Sequence, residues 1–192
     1  MPIDELQIRD ATEADAASIL SIYNDAVLHT TAIWNDRPSD LEARIAWLAE
    51  RRQSGYPVLV AIDRSRLLGY ASFGPFRPWE GYRHTVEHSV YVDRAARRLG
   101  VGYALVSELI SRARTMNKHV MVAGIEATNE PSLQLHARLG FSTAGQLRSV
   151  GRKFDKWLDL VFMQLMLDDD LQGSGDHAAA FSAAGDLAAH RR

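Results

Sequence analysis

The sequence predicts an α/β fold: a mixed central sheet of about seven strands flanked by about four helices. Three observations carry this reading. Apolar or alternating segments of strand length interleave with segments of helical spacing, in the order β α α β β β α β α β β. The middle of that order is a strand–helix–strand–helix unit, which builds helices packed on a sheet. The chain has 192 residues, 46% of them hydrophobic, enough for a sizeable core without covalent or metal staples.

Each element has its own signal. Residues 6–10 (LQIRD) form a short first strand. Thr12 precedes Asp15 by three and opens a stripe of Ala16, Ile19, Tyr23, Ala26 and Val27, a capping-box helix start followed by helical spacing. A second helix starts at Pro38-Ser39, with Glu42 three residues on and Ile45, Trp47 and Leu48 as its apolar positions. Residues 57–62 (PVLVAI) are a buried strand, 63–66 a turn, and 67–73 the hairpin partner. Residues 74–84 hold two prolines and two glycines and read as a loop. TVEHSVYV (85–92) is a strand, 101–115 an amphipathic helix, and HVMVAGI (119–125) an interior strand. Pro131 near its start and Gly140 at its end bracket another helix. Strands near 141–147 and 158–167 complete the unit.

Composition removes several classes of function. With no Cys, disulfide scaffolds, thiolate metal sites and cysteine nucleophiles are excluded, and a reducing, cytoplasmic setting is expected. Lys+Arg number 22 against 24 Asp+Glu, a formal charge of −2, which speaks against a nucleic-acid-coating protein. The N-terminus has no apolar signal-like stretch, and no segment has the apolar length of a membrane span. Residues 168–192 are rich in Asp, Gly, Ala and Ser and poor in large apolar residues. They read as a disordered tail, with a short alanine-rich helix at 177–189 as the alternative. The expected division is a folded domain over 1–167 and a tail over 168–192.

One segment carries chemistry. Arg97-Arg98-Leu99-Gly100-Val101-Gly102 lies between an apolar strand and an amphipathic helix. Its glycines permit a tight turn, and the helix N-terminus adds free N–H groups, together a cradle for phosphate oxygens. Residues 94–118 hold six bases and one acid, a positive patch inside a slightly acidic chain. A helix with a solvated basic face behind a glycine turn fits these residues equally well. The spacing matches neither the GxGxxG dinucleotide fingerprint nor a Walker loop.

R-x-x-G-x-G in this context resembles the pyrophosphate loop of the GNAT acetyltransferase superfamily. Asn129, Ser132 and His136-Ala-Arg-Leu-Gly140-Phe141 resemble its second cofactor helix. TAIWND (31–36), GYPVLV (55–60), GYASFG (69–74), HTVEHSVYV (84–92) and KHVMVAGIE (118–126) are similar to the phosphinothricin and methionine sulfone/sulfoximine N-acetyltransferase subgroup. The likeness runs over about 3–167. It implies a sheet splayed at the cofactor site, acetyl-CoA as acetyl donor, no metal, and a small amino acid acceptor. It also implies a homodimer, with neither nucleic acid nor membrane as partner. Acetylation of a polyamine, peptide N-terminus or protein lysine, or acetyl-CoA binding without catalysis, are the alternatives.

The resemblance also assigns residues. Pantetheine would lie along Val90, Tyr91 and Val92, and the pyrophosphate on Arg97, Arg98, Leu99, Gly100, Val101, Gly102 and Tyr103. Asn129 would hold the pantetheine arm, with Ser132 nearby. Period-2 alternation puts Val86, His88, Val90 and Val92 on one face and Glu87, Ser89 and Tyr91 on the other. Strand position alone fits a Glu on a solvated face paired with an Arg as well as a functional one; the resemblance makes Glu87 the general base for the amine. His136 stands where most GNAT enzymes carry a Tyr that protonates the leaving thiolate. It would donate a proton as imidazolium or hold a water as neutral imidazole, while a helix histidine bonded only to backbone is the bland reading. His88 points the other way from Glu87 and reads as structural. In the 74–84 loop, Arg77 and Arg83 would bind a carboxylate. Phe76, Trp79 and Tyr82 would form walls, and backbone around Glu80, Gly81 and Tyr82 would touch the acceptor. Trp34 and segment 150–157 are further walls. Arg152, Asp155 and Lys156 depart from the subgroup there. Without Cys or a nucleophile-elbow Ser, acetyl transfer goes directly to the amine, with a backbone N–H near Val90 facing the developing oxyanion.

Overall fold

The computed structural model describes residues 5–168. Seven strands form one sheet in the order β1-β2-β3-β4-β5-β7-β6. β1 (Leu6–Asp10), β2 (Val58–Asp63), β3 (Arg66–Pro75) and β4 (Thr85–Val92) are paired antiparallel, each to the next. β4 and β5 (Val120–Glu126) are the parallel pair, and β7 (Lys156–Met166) lies between β5 and the edge strand β6 (Ser142–Lys153). The parallel pair demands a crossover, which α3 (Val101–Thr115) supplies.

Two helical layers cover the sheet. α1 (Ala16–His29) and α2 (Leu41–Gln53) pack on one face against Val58, Val60 and Tyr70. α3 packs on the other, where Leu105, Leu109 and Ala113 meet Leu59, Ala61, Phe73, Val86 and Met121. α4 (Glu130–Arg138) lies on that second side, its Leu135 close to Gly102. β2 reads as continuously apolar because its alternate residues serve both layers.

The element order is the expected one, with local corrections. A 3-10 turn, Glu13–Asp15, precedes α1. There Asp15 accepts from the Thr12 N–H and hydroxyl and is clamped by both Arg9 nitrogens at 2.7 and 2.8 Å. α2 starts one residue later than expected: Asp40 caps it through the Ala43 N–H at 2.8 Å. Ser39 is held back in the loop by paired bonds with the Asn24 amide. The last two strands are longer than the sequence suggests and meet in a two-residue turn at Phe154-Asp155. Both have positive φ, 50° and 58°, the I′ geometry that a Phe-Asp pair does not advertise. Asp168 pairs with His119; the remainder of the expected tail lies outside the described residues. Among the described residues, no helix is long and apolar enough to cross a membrane.

Two buried polar groups fix the connection between α1 and α2. The Lys153 ammonium donates to the carbonyls of Val27 (2.6 Å), Thr30 (2.8 Å) and Ile33, closing the C-terminal end of α1. Burial pushes its pKa down, opposed by Asp36. Glu126, at the end of β5, accepts from the Thr31 and Thr128 hydroxyls at 3.1 and 2.6 Å. Replacing Lys153 by Met leaves three carbonyls without their donor. The expected cost is about 3 kcal/mol, read as a lower urea midpoint with unchanged slope.

Candidate active site

β4 and β5 pair only from Thr85↔Val120 to His88↔Ala123. β4 then runs on to Val92 bonded to β3 alone, and β5 to Glu126 bonded to β7. The backbone of Ser89, Val90, Tyr91 and Val92 therefore has no strand on its β5 side. An extended amide-bearing chain is the ligand that such an edge can accept. Beside it stands the turn into α3. Arg98 and Gly100 take positive φ, 65° and 83°, and the first N–H groups of α3, at Val101, Gly102 and Tyr103, have no acceptor within the helix. Arg98 and Leu99 are exposed. Arg97 is turned aside, to the Val92 carbonyl at 3.5 Å and Asp25 at 3.7 Å. These residues fit a pantetheine-pyrophosphate ligand such as acetyl-CoA: an open strand edge leads to a helix N-terminus with positive dipole and flanking arginines.

The last paired residues, Glu87 and His88, place two groups on opposite faces of the sheet where the strands part. Glu87 is half-buried on the α1–α2 side, 3.8 Å from the Arg77 guanidinium. Burial raises its carboxyl above the ordinary range, and Arg77 opposes the rise. Gly124 makes the space: a Cβ there would stand 3.1 Å from Glu87 Oε1. Tyr91 sends its ring to the same side, 5.3 Å from the Tyr70 ring, and burial pushes its hydroxyl up to about 12.

On the other face His88 is not an isolated structural residue. Its Nε2 lies 3.1 Å from Nε2 of the buried His136, and both rings pack on Phe141. His136 Nδ1 faces the Ser132 carbonyl at 2.7 Å and so carries the hydrogen. His136 Nε2 is then the acceptor and His88 Nε2 the donor, both rings neutral. Desolvation lowers both, His88 to about 3. Glu87 and His136 are thus not brought together; the sheet separates them. Asn129 caps α4, accepting from the Ser132 N–H at 3.3 Å.

The 74–84 loop gathers its aromatics around Phe76, which meets Tyr82 at 5.7 Å and Phe162 at 6.4 Å, with Arg77 over its ring. Trp79 touches Tyr82 and is 66% exposed. Arg83 turns back to the Glu80 carbonyl at 3.3 Å, within the single 3-10 turn Glu80–Tyr82 that includes Gly81. Trp34 lies on Gly151, where any Cβ would overlap its ring; this joins the α1–α2 connection to the β6–β7 hairpin. Arg152 pairs with Asp155 at 3.3 Å and leans on Trp157.

The sequence reading missed the floor on Glu87's side. A recess of about 110 Å³ is lined by Tyr23, Arg44, Trp47, Arg51, Tyr70, Ser72 and Glu87, among others. A signal existed: Leu41, Arg44, Leu48 and Arg51 share one helical stripe, so α2 carries two cations on the face that turns inward.

The chain belongs to the acetyltransferase (GNAT) family, whose model matches residues 19–141, and it is an N-acetyltransferase. It is 57% identical over 162 residues to an L-methionine sulfoximine/L-methionine sulfone acetyltransferase of Pseudomonas paraeruginosa, covering 84% of this chain and 94% of the relative. A Salmonella typhimurium protein described as an acetyltransferase, with its cofactor acetyl-CoA, superposes with a TM-score of 0.84 at 54% identity over 85% of this chain and 95% of that one. A phosphinothricin acetyltransferase of Sinorhizobium meliloti, in complex with acetyl-CoA, gives 0.84 at 35% identity, covering 88% and 92%.

The histidine pair predicts an acid-sensitive fold. His88 has an ordinary value of 6.5 when exposed and about 3 when folded, so the unfolded chain binds its proton first. Its stabilising effect is complete above pH 6.5 and declines as pH falls toward 3, by up to about 1.4 kcal/mol per pH unit. Urea unfolding at a series of pH values should show this slope, and His88→Gln should flatten it.

Proposed function

We propose that the protein transfers the acetyl group of acetyl-CoA to the α-amine of a small amino acid, of the methionine sulfoximine, methionine sulfone or phosphinothricin type. The observation that carries this is Glu87: a half-buried carboxyl with a raised pKa, at the parting of β4 and β5, with a cation-lined recess beside it. The names of the relatives supply the acceptor class. Acetyl-CoA supplies a thioester whose carbonyl the amine attacks directly. Val90, Tyr91 and Val92 offer backbone to the pantetheine, Arg97, Arg98 and residues 99–103 hold the pyrophosphate, and Asn129 and Ser132 flank the arm.

Glu87 takes the proton of the ammonium, and its raised pKa brings it closer to that of the amine than an ordinary carboxyl would be. As the N–C bond forms, the C–S bond breaks. The ammonium gives up two protons overall, one ending on the departing thiolate and one in solvent. His136, neutral, has both ring nitrogens engaged, by the Ser132 carbonyl and His88, so it acts by fixing α4 beside β4, and the thiolate takes its proton from solvent. Phe76, Trp79 and Tyr82 wall the acceptor, with Trp34 opposite and backbone at Glu80–Tyr82 in reach; Arg77 and Arg83 give the entrance its charge. The catalytic unit is residues 1–167, acting in the cytoplasm as a homodimer. Exposed Leu147, Val150, Phe154 and Trp157 on the β6–β7 hairpin support the pairing.

Release of CoA thiol with a panel of amino acids, polyamines and peptides tests this reading. Methionine sulfone, methionine sulfoximine or phosphinothricin should be turned over; turnover of polyamines or peptides alone would refute it. Glu87→Gln should lower kcat/KM by about 10²–10⁴-fold and remove the acid limb of its pH profile.

A further inference from the structure

Arg44 is 7% exposed, and its guanidinium makes no hydrogen bond or ion pair among the described residues. Its Nε is buried without a partner, as are Arg51 Nε and the Tyr70 hydroxyl. All three side chains line one recess. A buried guanidinium cannot shed its charge, and leaving it without an anion is costly. The one carboxylate on the wall, Glu87, faces Arg77 from the loop instead.

The cations are held in place by design of their surroundings. Arg44 lies flat against the Tyr23 ring at 4.0 Å and reaches Trp47 at 4.9 Å, so the planar fork is oriented before any ligand arrives. Arg51 leans over Gly74, where any Cβ would overlap its guanidinium. Three unpartnered donors therefore converge on a small cavity that also holds the candidate base.

We propose that Arg44 and Arg51, with the Tyr70 hydroxyl, form an anion subsite that seats the acceptor's α-carboxylate. The inference rests on the amino acid acetyltransferase reading and refines it, moving carboxylate recognition from the exposed loop arginines to the buried face of α2. Charge balance favours it. Glu87 is already faced by Arg77, so Arg44 and Arg51 are left as two uncompensated positive charges, which the carboxylate of an acceptor with a neutral amine partly cancels. Burial favours it too, because a desolvated forked contact discriminates strongly between an anion and a neutral analogue, whereas exposed Arg77 and Arg83 would discriminate weakly. The α-carboxylate is also the anion common to sulfone, sulfoximine and phosphinothricin acceptors.

The test compares methionine sulfone with its α-carboxamide, as kcat/KM and as the rise in melting temperature each ligand gives with acetyl-CoA present. The parent should prefer the carboxylate, and Arg51→Met should reduce that preference about 100-fold and abolish the difference in melting temperature. Arg44→Met should do the same, and Arg44→Lys should restore part of the preference, which separates the role from folding. If the parent turns over amino acids but both Met variants keep the parental preference, the subsite is overturned while the wider reading stands. If the parent acetylates no α-amino acid, both are overturned.

Discussion

β4 and β5 share four register pairs and then part, and the architecture follows from that interruption. Each strand keeps its outer neighbour, so the sheet holds together as one unit while its middle opens. Within two residues the same event does three things. It bares a run of backbone on β4, points Glu87 at one helical layer, and points His88 at the other. An interior strand edge without a partner is an expensive arrangement, so it marks a place where a ligand is to complete the sheet. α3 makes the arrangement useful, since the crossover forced by parallel pairing delivers a helix N-terminus beside the bared edge.

Much of this was legible in the residues. Helical spacing, strand-length apolar runs and Pro/Gly punctuation together placed the strands and main helices, and the glycines at 100 and 102 announced the turn into α3. The alternation in 85–92 sorted Glu87 from His88 correctly. What escaped was whatever depends on pairing at a distance. Nothing near His88 says that Nε2 of residue 136 will stand 3.1 Å away, and nothing near Lys153 says that it will close a helix more than 120 positions earlier. The start of α2 moved by one residue because Asn24 captures Ser39, a tertiary bond that overrides a local cap. Arg44 and Arg51 escaped for a different reason: two cations on a partly apolar stripe read as a solvated helix edge until the face they occupy is seen to turn inward.

The wall over the recess is stiffened by polar groups that face inward as well as by apolar packing. Lys153 secures the end of α1, Glu126 secures Thr31, and Trp34 rests on bare backbone at Gly151. These ties come from β5, β6 and the hairpin bend, so the wall over the recess is anchored to strands on the far side of the gap. Any motion that widens the gap must also disturb the wall, which couples the two halves of the site mechanically.

The bared edge of β4 makes its contacts through peptide groups, and every residue has those. Side-chain replacement along Val90–Val92 changes little in what the edge can offer. The recess opposite is written wholly in side chains: two arginines, a tyrosine hydroxyl and a ring of aromatics. The two halves of the site therefore differ in how freely they can drift. With the acceptor seated as proposed, a scaffold of this kind would exchange one acceptor for another by a few substitutions on α2 and the 74–84 loop, while the bared edge stays fixed by the geometry of the main chain.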